Sequence, residues 1–162
     1  MKLLHLTRRF VGSLGRGSPS AEDQAWARSF LLSGESALWS RLSNADKRHS
    51  VTVARDVARG LGDEASRPVL AAALMHDVGK LVSRLGTFAR VGATVVGTVA
   101  GRDRPRGRIG DYLRHDEHGA HMLEVAGSDA LTITWAAEHH LPPDRWTLDP
   151  TVAVALKAAD DD

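Results

Sequence analysis

The chain has 162 residues, 43% of them apolar and 25% charged, and a formal net charge of +1. That length and balance describe one globular domain with enough material for a proper core, and nothing global asks for nucleic acid or an acidic partner. There is no cysteine, so disulfides and thiolate sites are excluded and any metal must be held by histidine and carboxylate.

Residues 2–15 put Leu3, Leu6, Phe10 and Leu14 near one helical face, with Lys2, Arg8 and Arg9 elsewhere. The pattern suits a helix packed on its own domain first, and a basic amphipathic helix on a membrane surface second, so peripheral membrane contact through residues 1–16 stays open. Arg8 and Arg9 stand where a signal peptide would need its apolar centre, which makes the cytoplasm the expected compartment. The longest apolar run, residues 91–101, is about half a membrane span, so no transmembrane segment is expected. Residues 12–20 read as a Gly/Ser loop. A helix then starts at Ser20 with Trp26, Phe30 and Leu31 on its apolar face, and a short one starts at Ser36 with Leu38, Trp39 and Leu42. Trp26 and Trp39 are expected in the core.

The stretch from Asp46 through His49 opens the next helix, striped with Val53, Ala54, Val57, Ala58 and Leu61 and stopped by Gly60 and Gly62. Ser66 and Pro68 start another, whose run from Val69 to Met75 leads directly into His76-Asp77, with Gly79 as its stop and Lys80 after it. Residues 81–100 read as two helices or one kinked helix, and residues 101–108 as a basic turn-rich loop. Residues 112–126 form one helix carrying His115, His118 and His121. Gly127 ends it, Ser128 caps the next, and that helix closes on Glu138-His139-His140 before Leu141-Pro142-Pro143 breaks it. Asp149-Pro150 caps a last helix that runs toward Asp160-Asp161-Asp162. With no hairpin-spaced alternation, the class is all-α: a compact bundle of about seven or eight helices around one metal-bearing core.

A His-Asp pair at the end of a buried helix reads most simply as a salt-bridged helix terminus. A buried carboxylate is nonetheless costly unless it is paired or bound to a metal, and imidazole beside carboxylate suits a divalent cation. The remaining histidines change the weighting. His49, His76 with Asp77, His115, His139 with His140, and Asp160 come from five helices, which is what a two-metal site without cysteine requires.

In that order, His49, then His76-Asp77, then Asp160, the chain resembles the HD-domain superfamily of metal-dependent phosphohydrolases. His115 with Gly119-Ala120 and Leu123, followed by His139-His140 ending a helix, resembles the dinuclear HD-GYP-like branches. The Gly-Tyr-Pro motif of those branches is missing, and Leu141-Pro142-Pro143-Asp144-Arg145-Trp146 stands instead. The resemblance spans about residues 44–161, which leaves 1–43 as an N-terminal helical extension packed on the core and 44–162 as the phosphohydrolase domain. It implies an enzyme that hydrolyses a nucleotide-type phosphoester, a small molecule, through a metal-bridging hydroxide. The other reading is a non-catalytic regulatory signalling domain.

The implied cofactor is two divalent ions, Fe or Mn first, with Zn, Ni, Mg or Co as other occupants. His49, His76, Asp77 and Asp160 would hold one ion. Asp77 would bridge to a second, held also by His115, His139 and His140. Asp77 and Lys80 are the catalytic candidates, Lys80 as a compact cation for developing phosphoryl charge. Asp161 is the rival of Asp160, Glu138 could orient a histidine from behind, and Arg48, His118 and His121 are expected to stay outside.

Overall fold

The computed structural model describes residues 17–83 and 107–161, and among them there are helices and no strand. In chain order these are α1 (Ala21–Ser29), α2 (Ser33–Ser40), α3 (Asn44–Leu61), α4 (Arg67–Met75), α5 (Lys80–Ser83), α6 (Gly107–Leu113), α7 (His115–Val125), α8 (Ala130–Glu138) and α9 (Pro150–Asp161), with single 3-10 turns at Gly62–Glu64 and Pro143–Arg145. The class is all-α, as the sequence implies. Residues 1–16, where a surface helix is expected, and most of 81–108 lie outside the described residues.

Helix starts follow local chemistry. Ser20 accepts a hydrogen bond from the Asp23 amide at the head of α1, Ser43 does the same for Asp46 at the head of α3, and Asp149 accepts from Thr151 and Val152 at the head of α9. At α2 the helix begins three residues before Ser36, because the Glu35 carboxylate reaches back to the Leu32 amide and closes the first turn. Ser128 does not cap α8; Asp129 occupies that position and the Ser128 hydroxyl is buried without a hydrogen-bond partner.

The centre of the bundle is α4. Every residue from Val69 to Met75 is buried, as a helix apolar on all sides must be. It packs against α3 on one flank and α8 on another, while α9 lies along α3 and α7 along α8. Leu74, Leu123 and Leu156 are fully buried where these helices meet, each contributing about 1.5–3 kcal/mol by leaving water. Ala27 of α1 and Trp39 of α2 belong to the same cluster, with the Trp39 indole N–H donating to Ser50 Oγ.

Two expectations about backbone are corrected. Residues 112–126 are not one helix: Arg114 leaves helical geometry (φ −107°, ψ 26°) and separates α6 from α7. Gly79 does not serve as a left-handed stop either; among the described residues the positive-φ glycines are Gly62, Gly107 and Gly127. A Cβ at Gly79 would lie 1.8 Å from the His115 carbonyl oxygen and 2.6 Å from the Gly119 amide. Gly79 is there because the backbone of α7 crosses directly over the turn that follows α4.

Gly79→Ala should therefore cost about 3 kcal/mol, the upper end of what overpacking usually costs, since rigid backbone has to move. Gly60→Ala, where the added methyl meets nothing within 4 Å, should add about 0.5–1 kcal/mol by helix propensity alone. Urea unfolding of the two variants beside the parent chain measures the contrast.

Candidate metal centre

Each chemically interesting side chain sits at a helix end or within the first two turns of a helix, facing the end of α4. His76 is the residue after α4, in helical geometry, and Asp77 follows in the tight turn before α5. His49 comes from α3, His115 from the start of α7, His139 and His140 from the end of α8, and Asp160 from the last turn of α9. His76, Asp77, His115, His139 and Asp160 are all buried.

The Asp77 carboxylate stands between two groups of histidines. Its Oδ1 lies 3.1 Å from His115 Nε2 and 4.0 Å from His139 Nε2. Its Oδ2 lies 3.5 Å from His76 Nε2 and forms an ion pair with Lys80. On the Oδ2 side, Asp160 Oδ1 is 3.1 Å from His49 Nε2 and 3.4 Å from His76 Nε2. On the Oδ1 side, His140 Nε2 is 3.1 Å from His115 Nε2. Two clusters of ligand atoms result, His49–His76–Asp77 and His115–His139–His140, each with its atoms within 4.8 Å of one another.

The imidazole nitrogens are sorted by a repeated local contact. The Nδ1 atoms of His76, His115 and His139 lie 2.9, 2.7 and 3.0 Å from the carbonyl oxygens of Ala73, Tyr112 and Ala136, each three residues earlier. A carbonyl oxygen only accepts, so Nδ1 carries the hydrogen and donates it. Nε2 is the nitrogen left to point to the centre, where it can take either a proton or a metal, the arrangement a metal-binding histidine requires. Nε2 of His76 and Nε2 of His139 are buried and have no hydrogen-bond partner. Two such nitrogens facing buried carboxylates fit a divalent cation, which would satisfy both kinds of atom at once.

The electrostatics agree. Burial alone would lower the His76 imidazole, but the Asp77 and Asp160 carboxylates push it up to about 10. Burial and the charge on His76 push His139 down to about 3, so it stays neutral. Burial would raise Asp77, yet the Lys80 ammonium and His76 hold it well below the usual carboxylate range. Burial would lower Lys80, and Asp77 first, together with Tyr112 and Asp46, more than offsets this, so Lys80 is held charged. Two buried carboxylates at one point thus demand positive charge there.

The HD domain family model matches residues 48–161, most of the chain. The chain belongs to the HD-domain family. HD domains form a superfamily of metal-dependent phosphohydrolases that bind divalent metals and act on phosphoesters. Neither the curated proteins nor the solved structures contain a match. No helix among the described residues is long and apolar enough to cross a membrane.

In this HD domain the seven histidines and aspartates singled out in sequence stand around one centre, together with Lys80. The residues around them sort themselves by contact. Asp161 is exposed and pairs with Lys157 at 2.7 Å, while Asp160 points inward. His118 lies 3.7 Å from Asp111 and His121 3.8 Å from Glu124, both away from the centre. Arg48 bonds the Gly17 carbonyl. Glu138 does not reach a histidine: its two oxygens take the Thr147 amide and hydroxyl, each at 2.7 Å, and so tie down the loop after His140. Tyr112 was missed by sequence reasoning. Its ring stacks on His115 with centroids 5.7 Å apart and planes 25° apart. The spacing of three residues before His115 was the available signal, hidden by reading 112–126 as one uninterrupted helix.

A metal and a proton compete for His76 Nε2. Since that proton is held until about pH 10, metal uptake at neutral pH should release roughly one proton, and affinity should rise by about tenfold per pH unit below that value. Calorimetric titration with Mn(II) in buffers of different ionisation enthalpy counts the proton; a count of zero at pH 7 would mean that Asp77 and Asp160 do not hold His76 protonated.

Proposed function

We propose that this HD domain is a phosphohydrolase acting on a nucleotide-type phosphoester at a pair of divalent metal ions. The observation that carries the reading is the Asp77 carboxylate, with one oxygen facing His76 and the other facing His115 and His139. In this reading His49, His76, Asp77 and Asp160 hold the first ion, and Asp77 with His115, His139 and His140 holds the second. Fe and Mn match a mixed histidine and carboxylate set without thiolate. When bound, such ions supply Lewis acidity toward the phosphoryl group and lower the pKa of water.

The chain's own residues have separate tasks. Asp77 keeps the two ligand groups in register and fixes the charge between them. The main-chain carbonyls behind His76, His115 and His139 hold the rings with Nε2 inward. Lys80 carries a fixed positive charge at the edge of the centre, largely shielded from solvent, where it would meet negative charge developing on a phosphoryl group. His140 is exposed and His49 partly so, which marks the side from which a substrate would enter. Nucleotide as the substrate class rests on the resemblance to the dinuclear branches, and without a Gly-Tyr-Pro motif the reading does not extend to a particular cyclic dinucleotide.

Purified chain loaded anaerobically with Fe(II) or Mn(II) should bind two equivalents and hydrolyse bis-p-nitrophenyl phosphate, with chelation abolishing turnover and metal restoring it. A screen over nucleotides, dinucleoside polyphosphates and cyclic dinucleotides then finds the substrate. Full metal content with no turnover on any of them would favour the regulatory reading.

Asp77→Asn should lower kcat by at least about a hundredfold, because it removes charge from both ion positions. Lys80→Met should lower kcat by about a hundredfold or more while leaving metal content unchanged. Steady-state kinetics and metal analysis on the same preparations separate these two roles.

A further inference from the structure

The three buried histidines that donate Nδ1–H to a carbonyl three residues back are alike except in one respect. Behind His76 and His139 the accepting residue is alanine, Ala73 or Ala136. Behind His115 it is Tyr112, whose carbonyl accepts at 2.7 Å and whose ring also lies nearly parallel over the imidazole, centroids 5.7 Å apart. His115 is the histidine in closest contact with the shared carboxylate, 3.1 Å from Asp77 Oδ1, and it also meets His140 at 3.1 Å.

A carbonyl contact alone fixes the position of Nδ1 but leaves the ring some freedom to tilt about the Nδ1···O line. At His76 and His139 the packed core removes that freedom, for both are sealed among buried helices. His115 sits at the first residue of α7, just past the break at Arg114, where the His139 and His140 rings meet it edge-on with centroids 5.6 and 4.9 Å away. The Tyr112 ring is the one that lies along its face. An offset aromatic stack sets the plane of the imidazole, and with the plane set, Nε2 is aimed at the Asp77 side.

We infer that Tyr112 is a positioning residue for the second metal ion, acting through the tilt of the His115 ring and not through contact with metal or substrate. The inference rests on the two-ion reading proposed above. It predicts a selective defect. Removing the ring should weaken the ion held by His115, His139 and His140 and leave the ion held by His49, His76 and Asp160 alone.

Tyr112→Leu keeps apolar bulk and the main-chain carbonyl but removes the stack; Tyr112→Phe keeps the stack and removes only the hydroxyl. Stepwise titration of each with Co(II), followed by its visible spectrum, reads the two equivalents separately. The expected result is a first equivalent unchanged in every variant, a second weakened about tenfold or more in Tyr112→Leu, and parent behaviour restored in Tyr112→Phe. Thermal unfolding without metal accompanies the titration. A merely structural tyrosine would lower the unfolding temperature of Tyr112→Leu without touching the second dissociation constant, and that result overturns the inference. His115→Ala marks which equivalent belongs to the second position. A parent chain that takes up only one equivalent overturns the two-ion reading and this inference with it. Two equivalents in the parent and an equally tight second one in Tyr112→Leu overturn this inference alone.

Discussion

The centre depends on how closely α7 approaches the turn after α4. Gly79 and Gly119 face each other there, and a methyl group on Gly79 would fall inside the His115 carbonyl. Only a contact of backbone on backbone brings His115 within reach of Asp77, because any side chain between them would hold the two elements apart by its own thickness. The packing of two glycines is thus a condition on the chemistry: it sets the distance at which one carboxylate can serve two groups of histidines. The small residues of α4, alanine at 71, 72 and 73, extend the same logic along the helix, letting α3 and α8 close in from both flanks.

Charge supplies the complementary constraint. Asp77 and Asp160 are buried side by side, and a protein interior does not tolerate two such carboxylates without cations. Lys80 answers one oxygen of Asp77, and Lys157 lies 3.6 Å from Asp160. The remaining oxygens face imidazole nitrogens. Whatever cation sits among them, proton or metal, is required by the carboxylates, and the carbonyls behind the rings have already decided which nitrogen will receive it. A histidine in this centre is therefore selected twice, by the helix behind it and by the acid before it.

Much of this was legible in sequence, for identifiable reasons. The helical class was legible because apolar stripes at helical spacing are separated by strong punctuation such as Gly62, Pro68, Gly127 and Pro142. The ordered set from His49 to Asp160 was legible because each member stands at or near a helix end, where punctuation fixes its register. Contacts between distant residues were not. Nothing local distinguishes Gly79 as a packing glycine from Gly79 as a stop, since the difference lies in α7, some forty residues on. The break at Arg114 is invisible because residues 112–126 are all compatible with helix, and packing overrides that propensity. Glu138 next to His139 suggests a support for the ring, but Thr147 across the loop takes both its oxygens. Ser128 precedes α8 as a cap would, and the chain places Asp129 there instead.

The pair formed by His49 and Asp160 joins positions 111 residues apart. At ordinary rates of synthesis about 5–20 s separate the appearance of one from the other. For most of that interval the nascent chain carries His49, His76 and Asp77 without the second carboxylate, and α3 without the helix that lies along it. The contact between His49 and Asp160 can therefore form only after the last turn of α9 has been made and has docked along α3.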